Sequence, residues 1–383
     1  MDVNDLLKLA VEAGASDLHI KVGSFPMMRL RGALVPVGND KRLDHTDVVA
    51  MSAKVMSKVH ADKFKDANEV DLAYGVPGLG RFRVNVFQQR GTVGMVLRVI
   101  PTILKSIDEL GLPPVLKAIA SEERGLVLVT GTTGSGKSTT LAAMIDYINK
   151  TRKAHVMTVE DPIEFLHRDQ QSIINQREVS VDTRSFAQAL RSALRQDPDV
   201  ILVGEMRDHE TIETALLAAE TGHLVFSTLH TLDATESINR IIAVFQPHQQ
   251  KQIRLQLASV LKGVISQRLM PSADGKSRVP AVEVMVSTAF IRDCIVDKDR
   301  TSMIHGAIAQ GTSQYGMQTF DQSIFGLYSQ GLVTYEEALR WASNVDEFKL
   351  KVQGISTTSD MSRDQMASTV LGGKHPEITR FGG

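Results

Sequence analysis

The run Gly131-Thr-Thr-Gly-Ser-Gly136-Lys137-Ser138 constrains this chain more than any other stretch, because it fits G-x-x-x-x-G-K-[ST] where that pattern is physically useful. Leu126-Val-Leu-Val-Thr130 before it is short and apolar, which predicts a buried strand. After it, Leu141, Met144, Ile145 and Ile148 recur at i, i+3, i+4 and i+7, which predicts a helix. A glycine-rich turn between such a strand and helix curls its N–H groups inward onto phosphate oxygens, and the helix adds the positive end of its dipole. The candidate nucleotide-binding residues are therefore Gly131, Thr132, Thr133, Gly134, Ser135, Gly136, Lys137, Ser138 and Thr139. Lys137 is placed to reach the β- and γ-phosphates, and the Ser138 hydroxyl to ligate Mg²⁺.

A chain of 383 residues has room for two or three domains with large cores. Its 43 Lys and Arg against 44 Asp and Glu leave a net charge of −1, so overall charge gives no support to a nucleic-acid surface. The single Cys294 excludes an internal disulfide and any four-cysteine zinc site. No run of eighteen apolar residues occurs, and the amino terminus has no basic-then-apolar leader. The expected location is the cytoplasm, with any membrane association supplied by something else.

Along the chain, residues 3–13 show helical spacing. Extended stretches follow around Leu18–Ile20 and Met28–Val37, then a helix over 45–66 and a hairpin over about 70–100. In that hairpin Phe82, Val84 and Val86 alternate with Arg81, Arg83 and Asn85, while Met95, Leu97 and Val99 oppose Arg98. Residues 1–100 thus read as a mixed α+β domain with an arginine-studded sheet face. Residues 101–113, bracketed by Pro101 and Pro113-Pro114, read as a linker carrying a short helix. From 114 to 352 strands alternate with helices, the signature of a parallel α/β sheet: Leu126–Thr130, His155–Glu160, Val200–Val203 and Leu224–Leu229. A turn at Asp274-Gly275 leads into a strand over Val279–Met285, and the chain beyond 287 is helical, with Thr334 and Glu337 spaced as a capping box. The polar tail 353–383 is expected to be disordered.

The acids narrow the chemistry. Val200–Val203 runs into Gly204 and Glu205, which suits an acid at a strand tip beside the phosphate loop, near Mg²⁺ or its water. A second cluster, Glu160-Asp161-Pro162-Ile163-Glu164, projects carboxylates from a proline-fixed corner, where one could polarise an attacking water or simply form a charged turn. His223 and His230 flank Leu224–Leu229; they make a poor metal pair and suit either γ-phosphate sensing or a structural role. Arg191 and Arg195 share a helix face that reads as solvated. Arg81, Arg83 and Arg98 fit two readings: a solubilising sheet face, or arginine supplied in trans to the charge developed in nucleotide hydrolysis.

Six ordered blocks together resemble the secretion-superfamily ATPases, and within them the type IV pilus retraction ATPases of the PilT/PilU family. They are Leu128–Thr139, Thr158–Glu164, Gln176–Val179, Leu194–Asp199, Val203–Asp208 and Glu220–His230, and the resemblance spans about residues 3–350. It implies a PAS-like amino-terminal domain, a RecA-like ATPase domain, ATP with Mg²⁺, and a homohexameric ring. It further implies Glu164 as the water-activating carboxylate, Glu205 as the Walker B acid, and His223 with His230 as the His-box pair. Amino-domain arginines at Arg81, Arg83 and Arg98 are implied to approach nucleotide at domain or subunit interfaces. Extension motors of the superfamily carry a long extra amino-terminal region and a tetracysteine loop, both lacking here, so the resemblance is to the retraction type. The family's Ala-Ile-Arg-Asn-Leu-Ile stretch reads Phe290-Ile291-Arg292-Asp293-Cys294-Ile295 here, and Gly316–Gln322 and Thr334–Ala338 look more like the accessory paralogue. The expected function is an ATP-hydrolysing motor for pilus retraction and twitching motility. It would act on a platform protein at the cytoplasmic face of the inner membrane, with a paralogous retraction ATPase as a further partner and no nucleic acid. The alternatives are an accessory retraction ATPase, a nucleotide-switched regulator that does not hydrolyse, and a RecA-like nucleic-acid translocase.

Overall fold

The computed structural model describes residues 2–30, 32–37, 41–101 and 104–354, so the tail expected to be disordered lies outside the described residues from 355 onward. The chain divides into two compact units. The first comprises Met1–Leu104 together with two later segments, Asp161–Arg168 and Glu178–Asp182; the second comprises the remainder.

The first unit opens with the helix Val3–Glu12, started by Asp2, whose carboxylate accepts the Asn4 N–H at 3.0 Å. Its Val3, Leu6, Leu7 and Ala10 are buried, as the helical spacing requires. Six strands follow in this unit: β1 (Asp17–Lys21), β2 (Met27–Leu30), β3 (Ala33–Pro36), β4 (Glu69–Val76), β5 (Gly80–Gln89) and β6 (Thr92–Val99). They form one antiparallel sheet in the order β3-β2-β1-β6-β5-β4. The stretch expected as a hairpin is therefore a three-stranded meander. Its β5–β6 turn is the pair Arg90-Gly91, both at positive φ (48° and 75°), the backbone a two-residue hairpin loop demands. Phe82, Val84, Val86, Met95 and Leu97 enter the core on one face, and Arg83 stands directly across from Arg98 on the other.

The expected helix over 45–66 is two helices, His45–Val55 and Lys58–Ala67. Met56 between them is extended, and Ser57 and His60 cap the second helix reciprocally. A serine that satisfies free helix-start N–H groups outcompetes continuation of the preceding helix.

In the second unit, Pro114 precedes the helix Val115–Ala120, so the expected short helix lies just beyond the proline pair, with turns before it. Seven strands follow: β7 (Gly125–Thr130), β8 (His155–Glu160), β9 (Ile173–Glu178), β10 (Val200–Val203), β11 (Leu224–Leu229), β12 (Leu261–Pro271) and β13 (Arg278–Val286). Their order is β13-β12-β7-β11-β10-β8-β9, with β12, β7, β11, β10 and β8 parallel. Every residue of β7, β10 and β11 is buried, because helices cover both faces of the sheet. Period-two alternation divides them: Leu126, Leu128, Ile201 and Val203 pack into one core layer, Val127, Val129, Val200 and Leu202 into the other. Beyond β13 the described chain is helical, and Phe320, Ile324, Ala338 and Phe348 pack against Met270 and Ala281 of the β12–β13 hairpin. Thr334 caps the helix Tyr335–Trp341, accepting the Glu337 N–H at 3.3 Å.

Candidate active site

The phosphate loop connects the carboxyl end of β7 to the helix Lys137–Thr151. Gly131 and Gly136 have φ of 140° and 96°, and Gly136 is the helix N-cap. A Cβ on Gly131 would stand 2.4 Å from the backbone carbonyl of Gln267, so only glycine fits. Thr132, Thr133 and Gly134 are exposed at the tip, Ser138 and Thr139 are half-buried, and Ser135 is buried. The Lys137 side chain is buried, its ammonium donating to the carbonyls of Gly131 (2.9 Å) and Thr132 (3.0 Å). The Ser135 hydroxyl is buried with no hydrogen-bond partner among the described residues. A buried cation, an orphaned hydroxyl and a helix N-terminus around a glycine cradle fit a phosphate chain.

Glu205 lies two residues beyond β10, and its side chain is 17% exposed. His230 lies one residue beyond β11, its Nε2 3.2 Å from Glu205 Oε1, and the Arg207 guanidinium donates to the same oxygen. Because β11 sits between β7 and β10, the phosphate loop, His230 and Glu205 occupy consecutive strand tips at the carboxyl edge of the sheet. That edge is where parallel α/β sheets bind ligands. Thr228 fixes the Glu205 turn, its hydroxyl donating to the Gly204 carbonyl at 2.7 Å. Glu160, at the tip of β8, accepts from the Thr158 hydroxyl at 2.6 Å and the Gln176 amide at 3.2 Å.

His223 is elsewhere. It precedes β11, at the end of that strand which pairs with Gly125, and its Nδ1 hydrogen-bonds the Ala218 carbonyl at 2.9 Å. Six strand residues separate it from His230, roughly 20 Å along the strand. The two histidines expected as a pair are thus at opposite edges of the sheet within the subunit. Parity in a strand sets which face a side chain takes, but length sets the edge, and six residues cross the whole sheet.

Glu164 and the arginines belong to the first unit. Glu164 is exposed and follows Ile163, which is buried and whose N–H donates to Glu178 Oε2 at 3.2 Å. The same oxygen accepts from the Arg81 guanidinium at 2.8 Å, so Arg81 is held in a largely buried ion pair. Arg98 Nε donates to Asp17 at 2.9 Å. Burial of Asp17 opposes ionisation, but the bonds from Arg98 and Ser16 prevail and hold its carboxyl below the ordinary value. Arg83 lines a cavity of about 500 Å³ with Lys63, Asp71, Asp161 and Glu178.

The structure also brings in Glu283 of β13, whose carboxylate accepts the Ala234 N–H at 3.0 Å and so holds the turn that follows His230. Burial pushes this carboxyl up to about 7, and the nearby Asp233 charge adds to the effect. A folded-state value above the unfolded one means the folded chain keeps a proton that the unfolded chain releases. The stability from that proton is complete below about pH 4.5 and is lost as the pH rises through about 7. Glu283→Gln, which keeps the acceptor, should leave the melting temperature at about pH 4 nearly unchanged and stabilise the fold at about pH 8 by up to about 3 kcal/mol. Parallel thermal melts at the two pH values check this; equal shifts at both would refute it. Nothing local flagged Glu283 or Gln267. The only trace in the sequence is polar residues inside otherwise apolar strands, Ser266-Gln267-Arg268 and Glu283.

A family model described as type II/IV secretion system protein matches residues 1–340. The type IV pilus retractation ATPase PilT of Pseudomonas aeruginosa is 46% identical over 348 residues, covering 91% of this chain and 100% of that protein. The type IV pilus ATPase PilU of the same organism is 41% identical over 372 residues, covering 97% and 96%. Among solved structures, the crystal structure of the pilus retraction motor PilT with bound ADP matches with a TM-score of 0.84 at 46% identity, covering 91% of this chain and 98% of that one. Likeness along nearly the whole length, in sequence and in fold, settles the family: the chain belongs to the type II/IV secretion system proteins.

Proposed function

We propose that this protein is a Mg²⁺-dependent ATPase whose hydrolysis cycle powers type IV pilus retraction, working as a homohexameric ring. The observation that carries the reading is the buried phosphate cradle of Lys137 and Ser135, followed on the next two strand tips by the paired His230 and Glu205. PilT, similar over 91% of this chain, has been solved with ADP. ATP supplies a phosphoryl bond whose cleavage releases free energy, and Mg²⁺ neutralises the phosphate charge. The chain's residues do the rest. Loop N–H groups and Lys137 hold the phosphates, and Ser138 with Glu205 would hold the metal, Glu205 directly or through water. Glu164 would take the proton of the attacking water. Arg81, Arg83 and Arg98 are proposed to meet nucleotide at domain or subunit interfaces, and His223, at the far edge of the sheet, to act only across such an interface. Nucleotide-dependent clamping of an amino-terminal domain would convert phosphate contacts into domain rotation. Among the described residues no helix is long and apolar enough to cross a membrane. The work is proposed to pass to an inner-membrane platform protein at the cytoplasmic face.

A second reading, an accessory motor of the PilU kind, is favoured by the altered stretch Phe290–Ile295. It forms most of the helix Ala289–Val296 and leaves Phe290 exposed. Deleting the gene separates the two. Loss of retraction with surplus surface pili is the expected result and marks the principal motor, whereas near-normal retraction marks the accessory one. Purified protein should hydrolyse ATP at a rate indifferent to single-stranded DNA; strong stimulation would instead support a translocase.

A further inference from the structure

Gln267 lies in the middle of β12, the neighbour of β7 on the side away from β11. The parallel register places Ser266 beside Thr130, and their hydroxyls hydrogen-bond at 2.9 Å. The next residue along each strand is therefore Gln267 beside Gly131, the first residue of the phosphate loop. Gln267 is 3% exposed. Its backbone carbonyl is the atom a Cβ on Gly131 would strike, and its side-chain nitrogen lies 3.2 Å from where a Cβ on Gly136 would stand. Its amide oxygen accepts from the Thr140 hydroxyl at 2.9 Å, in the first turn of the helix that follows the loop. One buried residue therefore touches the loop at its start, its end and the helix that anchors it. The adjacent Arg268 is fixed by other elements: its guanidinium lies 3.8 Å from the Phe320 ring centroid and donates to the Trp341 carbonyl at 3.0 Å. The strand segment that presses on the loop is thus itself held on its other face.

We propose that Gln267 is a positioning residue of the phosphate loop, its carbonyl and amide setting the curvature of Gly131–Gly136 and hence the loop's affinity for phosphate oxygens. The proposal rests on the nucleotide reading above. It concerns affinity rather than the chemical step, since the contacts of Gln267 are with the loop and with the helix that follows it. A buried neutral hydrogen bond typically accounts for a factor of about ten in an equilibrium constant.

The test measures the equilibrium dissociation constant of a fluorescent ADP together with KM and kcat for ATP, in the full chain and four variants. Gln267→Leu and Thr140→Val should each raise the ADP dissociation constant and the ATP KM about tenfold, with kcat within about threefold of the native value. The double variant should be no more than about threefold worse than either single one, because both remove the same bond. Thr140→Ser, which keeps the hydroxyl, should restore most of the affinity. A merely structural role would lower the melting temperature and the active fraction without moving KM. If Gln267→Leu does not fold, the near-isosteric Thr140→Val and its serine rescue decide the matter. Unchanged dissociation constant and KM in folded variants, or fully additive losses in the double one, would overturn the proposal. Failure of the native chain to bind ADP would overturn the nucleotide reading and this inference with it.

Discussion

Glu164→Gln is expected to lower ATP turnover at least about a hundredfold while leaving ATP affinity within a few fold. Glutamine has nearly the shape of glutamate and still accepts a hydrogen bond, but it cannot take a proton from water at neutral pH. The backbone on which Glu164 stands does not depend on its side chain. Ile163 beside it is 2% exposed and its N–H is held by Glu178, while Glu164 itself is exposed. The substitution therefore tests chemistry with little cost in stability. Steady-state turnover and equilibrium binding of labelled nucleotide, measured on one preparation, check it. Turnover within tenfold of native would show that another carboxylate activates the water, with Glu160 at the tip of β8 the next to examine.

Lys137→Ala is expected to give the opposite signature, with affinity and rate lost together. The native ammonium is buried and donates to two carbonyls of its own loop. Burying a cation costs desolvation that its contacts must offset. Removing it should change the nucleotide-free melting temperature by only a few degrees. Loss of a charge-assisted contact to phosphate should weaken ATP binding by about ten- to a hundredfold, and with it the stabilisation that ligand gives. Calorimetric melts with and without Mg-ATP read both effects. A large fall in the nucleotide-free melting temperature would show that Lys137 serves the fold and not the ligand.

Local pattern carried much of the architecture. β8, β10 and β11 run over the residues that their apolar, β-branched composition singles out, because a strand buried on both faces admits almost nothing else. The phosphate loop was legible for a similar reason: its glycines, lysine and serine act within eight consecutive residues, so spacing in sequence is spacing in space. The break at Met56 was less legible. Helical periodicity continues across it, and only the Ser57–His60 cap, a pair of hydrogen bonds rather than a pattern, marks the stop. The third strand of the 69–99 meander was hidden in the same way, by a turn that the alternating arginines overshadowed.

The site itself divides along the same line. Sequence by itself determined the parallel α/β unit, the phosphate loop at its β7 edge and the acid at the end of β10, since each depends on residues close together in the chain. Tertiary structure alone decided which groups meet. It set His230 against Glu205 and sent His223 to the far edge of the sheet. It closed Arg81 onto Glu178, 97 residues away, and laid Gln267 against a loop more than a hundred residues earlier. Strand order and register fix those meetings, and both are set by how helices cover a sheet as a whole. No short stretch of residues carries that information.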